Sequence, residues 1–545
     1  MKKQPAAKLW VTAAVTFITI TAFVLRIWGI HWGLPDAFHQ FTYHPDEIFQ
    51  IGAMLRIDPF SFQLDPGFYN YPSGYMNLGA LAVHTAPYYG VTIDKTLVSV
   101  YLIARLTVVI LGTLTVLAVY GAANRLYGRA AGVLAAVIMA IIPLHIVHSH
   151  FATVDVPAAF WVAVTLLASA MIIAKPAPKW YIAAGIVAGI AAGTKYNAGV
   201  VLIPVLLAHF LREGKVSVLK RLKDSRFWMI APSFLTGFLI STPAVLIRPG
   251  RFIEGFTYEL RHAGSGHGLV FVGKGPGWLD ILSNSLGYGL GVFLLVVVLA
   301  AVALAVVRRK PADWLILSFV LPYYAMISMS EVRFARYMIL ILPPLAVLVG
   351  RMIVEVYQVA KEQGTAMLRW VWAGICVAAV GYTCIYAISF DLLFLAPDTR
   401  TQAAQWFSDN IKPSAAIGLP TVPWFYTPPI SPDSTAVNRS DRFQGTLNSR
   451  YSIKVNPGPG GEWDPSIVNE EMPEYIVMTD FEYEDAVRLQ VPSAMKFLEG
   501  LKKSYKEVAV FKRDLKAFNI SFGPTENLPH DLKYMSPTIK VYRKI

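Results

Sequence analysis

The stretch VSVYLIARLTVVILGTLTVLAVYGAANRLYGRAAGVLAAVIMAIIPLHIVHSHFATVDVP, residues 98–157, decides how the chain is read. It holds two apolar runs, each about the length needed to cross a bilayer, joined by a short link with Arg125 and Arg129. It closes on a turn with His148, His150 and Asp155. The same alternation extends outward from Trp10 to Leu393. Acidic residues are nearly absent from these runs, except where a run breaks on one side. The first such break carries His44-Pro45-Asp46-Glu47. Carboxylates and histidines gathered towards one compartment, at the edge of a hydrocarbon layer, point to a site.

Composition narrows the class. The chain has 545 residues, 55% hydrophobic and only 15% charged, with mean hydropathy +0.48. A soluble protein carries about a quarter charged residues, so an integral membrane protein is expected. The net charge of +13 does not indicate nucleic acid. From Ala396 onward 18 basic residues balance 18 acidic ones, and the whole excess sits among the spans. That distribution is the mark of cytoplasmic loop anchoring and of contact with anionic lipid. Cys376 and Cys384 lie eight residues apart in one run, about 12 Å along a helix, which is too far for a disulfide. Lys2, Lys3 and Lys8 precede a first run too long for a signal-peptide core, so an uncleaved first span is expected.

Eleven spans are expected, near 9–30, 97–122, 131–147, 157–174, 180–194, 196–212, 227–247, 279–307, 313–329, 335–357 and 369–393. The positive-inside rule puts Arg125, Arg129, Lys175, Lys179, the basic run Arg212–Arg226 with Lys215, Arg308-Arg309-Lys310, Lys361 and Arg369 on the cytoplasmic side. The chain is thus expected in the inner (plasma) membrane with its N-terminus cytoplasmic and its other end outside. Tyr75–Tyr89 is apolar but short and contains Asn77, His84 and Pro87. It is expected as an interfacial or re-entrant helix within a long first outer loop, 31–96. The division expected is a membrane domain, 1–395, and an extracytoplasmic soluble α/β domain, 396–545. In the second, 398–410 and 492–503 suit helices, 474–480, 506–512 and 538–543 suit strands, and 420–465 suits a long loop.

The outer junctions supply the candidate chemistry. Asp46 or Glu47, partly withdrawn from water, suits a general base; Asp46 also suits the start of a helix. His148, His150 and Asp155 suit a metal, a substrate contact or support of Asp46, and the loose spacing favours the latter two. Lys195-Tyr196-Asn197 places a lysine against the positive-inside trend, where it snorkels or meets an anion. Arg333 and Arg336-Tyr337 lie beside Glu331, and two arginines three apart on a helix suit a phosphate. A further outer loop adds Arg248, Arg251, Glu254, Glu259, Arg261, His262, His267 and Lys274, with a glycine-rich Gly264–Gly268 that suits a lid. No Walker, Rossmann or HExxH motif is present, so no nucleotide cofactor or metal is expected.

Taken in order, YHPDE (Tyr43–Glu47), HFATVDVP (His150–Pro157), GTKYN (Gly193–Asn197) and RFARYMILILPP (Arg333–Pro344) resemble the multi-spanning GT-C glycosyltransferases, especially the protein O-mannosyltransferase and aminoarabinose-transferase group. The resemblance implies a GT-C-like helical membrane fold, a polyprenyl-phosphate sugar donor, and inverting transfer to an extracytoplasmic acceptor: protein, lipid or polysaccharide. It implies that Asp46 is the base acting on the acceptor and that Asp155 is the second-loop acid. Placement adds Lys195, Arg333 and Arg336 as the phosphate grip, with His44, His148, His150, Tyr196 and Tyr337 lining the substrate. A phosphate leaving group calls for cations rather than a general acid. The rival class is a transporter or flippase of lipid-linked sugars, which internal repeats or midplane helix breaks would favour.

Overall fold

The computed structural model describes residues 4–36, 39, 42–93, 97–214, 216–364, 366–430, 450–455 and 462–545. Lys2, Lys3, Lys215 and most of the loop expected over 420–465 lie outside the described residues.

Every segment expected as a span is helical. Five helices are long and apolar enough to cross a membrane: Leu9–Ile27, Val98–Tyr127, Asp155–Ala174, Ala335–Glu362, and the helical stretch beginning at Ala366. A bent pair, Gly277–Leu290 and Val292–Arg308, makes six. The other segments are shorter, among them Arg129–Ile141, Pro178–Ala192 and Tyr196–Phe210, so eleven crossings stay an expectation. The run 279–307 is not the continuous span anticipated. It bends by 119° at Gly291, whose φ of +76° is open to glycine at little cost. A Cβ there would come within 3.0 Å of the Tyr386 ring.

The chain path sorts the junctions into two groups. Glu47 meets Ala152, Gly74 meets Gly193, Gly193 meets Thr242, and Ala263 meets Glu331. These contacts gather the histidine- and acid-bearing breaks at one end of the bundle. At the other end Arg212 and Arg226 clasp Asp224, Arg226 reaches Pro176, and Tyr127 donates to Asp313. Tyr75–Tyr89 forms a helix, Gly74–Thr85, and a 3-10 turn, Ala86–Tyr89. Twelve helical residues rise about 18 Å, short of the ~30 Å hydrocarbon thickness. Tyr75 donates to Ala104 O and Asn77 to Ser241 O, which pins this helix to its neighbours.

After Leu395 the chain builds a sheet-containing domain. Strands β1 (Ala416–Gly418), β2 (Ser452–Lys454), β3 (Tyr475–Thr479), β4 (Tyr505–Phe511) and β7 (Ile539–Lys544) form one sheet in the order β2-β1-β3-β7-β4. β1 runs parallel to β2 and β3, and β7 is antiparallel to β3 and β4. The expected strands over 474–480, 506–512 and 538–543 are present. So are helices Thr399–Asn410, where the Asp398 side chain caps the Arg400 N–H, and Pro492–Ser504. The hairpin β5 (Asp514–Ala517) and β6 (Ile520–Pro524), not anticipated, docks Phe522 on Tyr382 and Tyr386 of the last long helix. The domain is thereby packed on the bundle rather than tethered to it.

Candidate active site

The foundation of the site is a buried ion pair. Arg105, on the helix Val98–Tyr127, donates from Nε and Nη2 to the two Glu47 oxygens, both at 2.7 Å. The same guanidinium donates to Ile30 O and Trp32 O at 2.7 Å. Glu47 also accepts from Thr42 Oγ1 at 2.5 Å and from the Ala152 N–H at 2.7 Å. Both side chains are fully buried. A fork this well bonded satisfies the desolvated charges. It fixes the segment 30–47 to the turn at Ala152, and it leaves Glu47 no lone pair facing a cavity.

Glu47 therefore anchors the residue before it. Asp46 begins helix Glu47–Arg56, but its side chain makes no capping bond. Instead its Oδ2 lies 3.1 Å from Arg336 Nη2, and it is 29% exposed, on the wall of a cavity. Arg336 is buried, stacked 4.1 Å over Phe334. His44 is buried against Phe151 and Tyr534 and accepts the Asp46 N–H on Nδ1 at 3.2 Å. Burial is the main cause that pushes its pKa down to about 3, so it is neutral and holds the Asp46 backbone.

The helix junctions at Asp155 and Lys195 meet nearby. Asp155, first residue of its helix, accepts from Lys195 Nζ at 2.5 Å. Lys195 in turn lies 4.5 Å over the Tyr337 ring. His148 is buried beside them, its Nε2 4.0 Å from Asp531 Oδ2. His150 points away from the cavities: its ring nitrogens contact Ile146 O and Trp28 O, both at 2.9 Å, and it stacks on Phe394. It braces the turn. Tyr196 donates to Tyr69 O and packs on Phe252 and Phe256 of helix Pro249–Ser265. That helix comes close to the first loop because residue 255 is glycine; a Cβ there would sit 2.3 Å from Tyr69 O.

Arg333 does not join Arg336. The chain is extended through Phe334, and the 3-10 helix begins only at Ala335, so the helical three-residue spacing does not apply. Arg333 pairs with Asp280 at 3.0 Å and lines a smaller cavity of about 200 Å³ with Lys274 and Arg488, on the far side of Phe334 and His530 from Arg336. Of the three cations expected to converge, Arg333 stands apart, while Lys195 and Arg336 both lie against the Tyr337 ring, at 4.5 and 5.8 Å.

Two larger cavities flank these groups. One, of about 330 Å³, is lined by Asp46, Gln50, Tyr71, Glu259, His262, His267, Arg336 and Tyr337, and by Trp424, Phe425, His530 and Tyr534 from the C-terminal domain. The other, of about 360 Å³, is lined by Lys195, Tyr196, Asn197, Phe256, Leu260, Ala263, Met326 and Ile327. Tyr71, Glu259 and Tyr337 belong to both, so the two cavities adjoin. The first is rich in polar and ionisable groups. The second is mostly apolar, with the buried Lys195 in its lining. Among the described residues no cluster of histidine, cysteine or carboxylate side chains has the arrangement to hold a metal ion.

Sequence reasoning did not single out Arg105, Asp280, His530, Asp531 or Tyr534. Asp531, on the 3-10 helix His530–Met535, accepts the N–H groups of Ala335 and Arg336 at 3.1 and 2.8 Å. Arg105 is a visible break in an apolar run. Nothing in the local sequence marks Asp531.

Comparison with known proteins places this architecture. Residues 94–242 match the family model of dolichyl-phosphate-mannose-protein mannosyltransferases. The apo oligosaccharyltransferase of Archaeoglobus fulgidus superposes with a TM-score of 0.51 and 14% identity, over 97% of this chain and 77% of that one. The archaeal oligosaccharyltransferase AglB of Archaeoglobus fulgidus, in complex with an inhibitory peptide and a dolichol-phosphate, gives a TM-score of 0.51 and 13% identity over the same shares. ArnT of Cupriavidus metallidurans bound to undecaprenyl phosphate gives 0.49 and 16% identity, over 98% of each chain. No curated protein sequence matches the chain. The resemblance to the GT-C glycosyltransferases holds in the family match and the shared fold.

Proposed function

We propose that the protein is an inverting glycosyltransferase that moves a sugar from a polyprenyl-phosphate donor to an acceptor on the non-cytoplasmic side of the inner membrane. The observation that carries this reading is the pair of adjoining cavities, one apolar with Lys195 on its wall, one polar with Asp46 on its wall. An apolar slot between Phe256, Leu260, Met326 and Ile327 suits a prenyl chain. Lys195 and Arg336 suit its phosphate: each has N–H groups beyond those given to Asp155 and Asp46. The sugar then sits where the cavities meet.

In this reading the acceptor enters the polar cavity, and its hydroxyl or amine attacks the anomeric carbon from the face opposite the phosphate. Asp46 takes the acceptor's proton. The anomeric C–O bond breaks, its electron pair goes to the phosphate, and Arg336 and Lys195 stabilise the charge that develops. Asp155 holds Lys195 in place. The charge asymmetry of the loops supports an outward-facing site, with the soluble domain 396–545 outside and the membrane domain 1–395 carrying the chemistry. Mass spectrometry of envelope glycans and lipids from cells with and without the protein tests the reading. Loss of one glycan, with accumulation of a prenyl-phosphate sugar, is the expected result. Unchanged glycans and lipids overturn it.

A further inference from the structure

Glu259 lies at the junction of the two cavities and belongs to both linings. The other carboxylates around it are engaged. Glu47 is held by Arg105, Asp46 by Arg336, and Asp155 by Lys195. Asp531 is held by two backbone N–H groups. Glu259 has no hydrogen bond or ion pair with any described residue, although Lys195, Asp46 and Arg336 all act on it electrostatically. Its position is well fixed. Helix Pro249–Ser265 is pressed on the first loop at Gly255 and packed on Tyr196 through Phe252 and Phe256. Around it stand the rings of Tyr71, Tyr196 and Tyr337, whose faces suit the C–H surface of a pyranose.

We propose that Glu259 recognises the sugar of the donor: its carboxylate accepts hydrogen bonds from ring hydroxyls, or from an ammonium where the sugar carries one. This rests on the reading above, in which the donor phosphate lies between Lys195 and Arg336. A half-buried carboxylate with no protein partner keeps its acceptor capacity for what enters the cavities, and a polyhydroxylated ligand supplies donors. A missing or altered sugar leaves that carboxylate unsatisfied, which is the strongest form of discrimination available to a pocket.

The test is direct binding to the full-length protein in detergent. The probes are bare undecaprenyl phosphate, undecaprenyl-phosphate mannose and undecaprenyl-phosphate 4-aminoarabinose. The wild type should bind at least one sugar-bearing probe more tightly than the bare lipid. Glu259→Gln and Glu259→Ala should lose that increment, about 10- to 100-fold for the alanine, and bind the bare lipid as the wild type does. A preference for the mannose probe identifies hydroxyl recognition, and one for the amino sugar identifies an ammonium. An increment that survives in both variants overturns the inference. So does equal loss for bare and sugar-bearing lipid, or a wild type indifferent to every sugar. Failure of the wild type to bind bare undecaprenyl phosphate overturns the functional reading instead.

Discussion

Asp531 and Arg336 join the two parts of the molecule: a carboxylate from the C-terminal domain accepts the Arg336 N–H at 2.8 Å and lies 3.9 Å from its guanidinium. The other oxygen takes the N–H of Ala335. These are the first N–H groups of a 3-10 helix, which have no intrahelical partner. The cation nearest Asp46 is thus positioned by a residue nearly two hundred positions away in sequence.

Asp531→Ala should leave two buried N–H groups unsatisfied, at about 1–3 kcal/mol each. Asp531→Asn should also fail, because its NH2 group would face an N–H. Both variants should melt below the wild type in detergent and bind undecaprenyl phosphate more weakly. A wild-type melting temperature and affinity in Asp531→Ala would show that the contact does not position Arg336.

Glu47 and Asp46 are neighbours with opposite duties, and the difference is measurable. Removing one partner from a buried ion pair costs about 3–5 kcal/mol. Arg105→Ala or Glu47→Gln should therefore yield aggregated or poorly expressed protein, while Asp46→Asn should elute and melt like the wild type. A normally folded Glu47→Gln variant would contradict the anchoring role.

Much of this was legible in advance, and the gaps have physical causes. Long apolar runs are legible because hydrocarbon leaves the backbone few alternatives. Asp46, Asp155, Lys195 and Arg336 stood out because each breaks a run at one end. The Glu47–Arg105 pair did not, because which face of Val98–Tyr127 turns inward is decided by packing. The bend at Gly291 was masked by the continuous apolarity of 279–307. Arg333 misled because three-residue spacing implies a shared face only where the chain is helical, and it is extended there.

The two arginines now separate cleanly. Arg336→Ala and Lys195→Ala should each weaken undecaprenyl phosphate binding about 10- to 100-fold, by loss of a charge-assisted contact of about 1.5–3 kcal/mol. Arg333→Ala should leave that affinity nearly unchanged, since Arg333 faces a different cavity with Asp280. Equal losses at all three positions would restore the three-cation grip.

Glu259 carries a pH signature. Burial pushes its pKa from 4.5 to about 7, Lys195 and Arg336 pull it down, and Asp46 pushes it up. Tyr71, Tyr196, Tyr337 and His262 also line its surroundings. A carboxyl whose folded value lies above its unfolded value favours the folded state below about 4.5. It costs stability as pH rises towards 7, and the cost is complete above that. A glutamine at this position does not titrate. Glu259→Gln should melt higher than the wild type at about pH 8 and nearly the same at about pH 5. A difference that is the same at both pH values would mean that Glu259 is not held in a desolvated site.

Asp46→Asn keeps the shape of the side chain but cannot take the acceptor's proton. General-base catalysis contributes about 10²–10⁴-fold, so kcat for sugar transfer should fall by that order. Donor binding should persist or tighten, because a neutral amide no longer competes with the donor phosphate for Arg336, which now pairs with Asp46 at 3.1 Å. A purely structural role for Asp46 predicts the opposite pattern, with donor affinity lost along with Arg336's position. Measuring kcat and the affinity for undecaprenyl phosphate on the same preparation separates the two. Near-normal turnover in Asp46→Asn would take this carboxylate out of the chemistry.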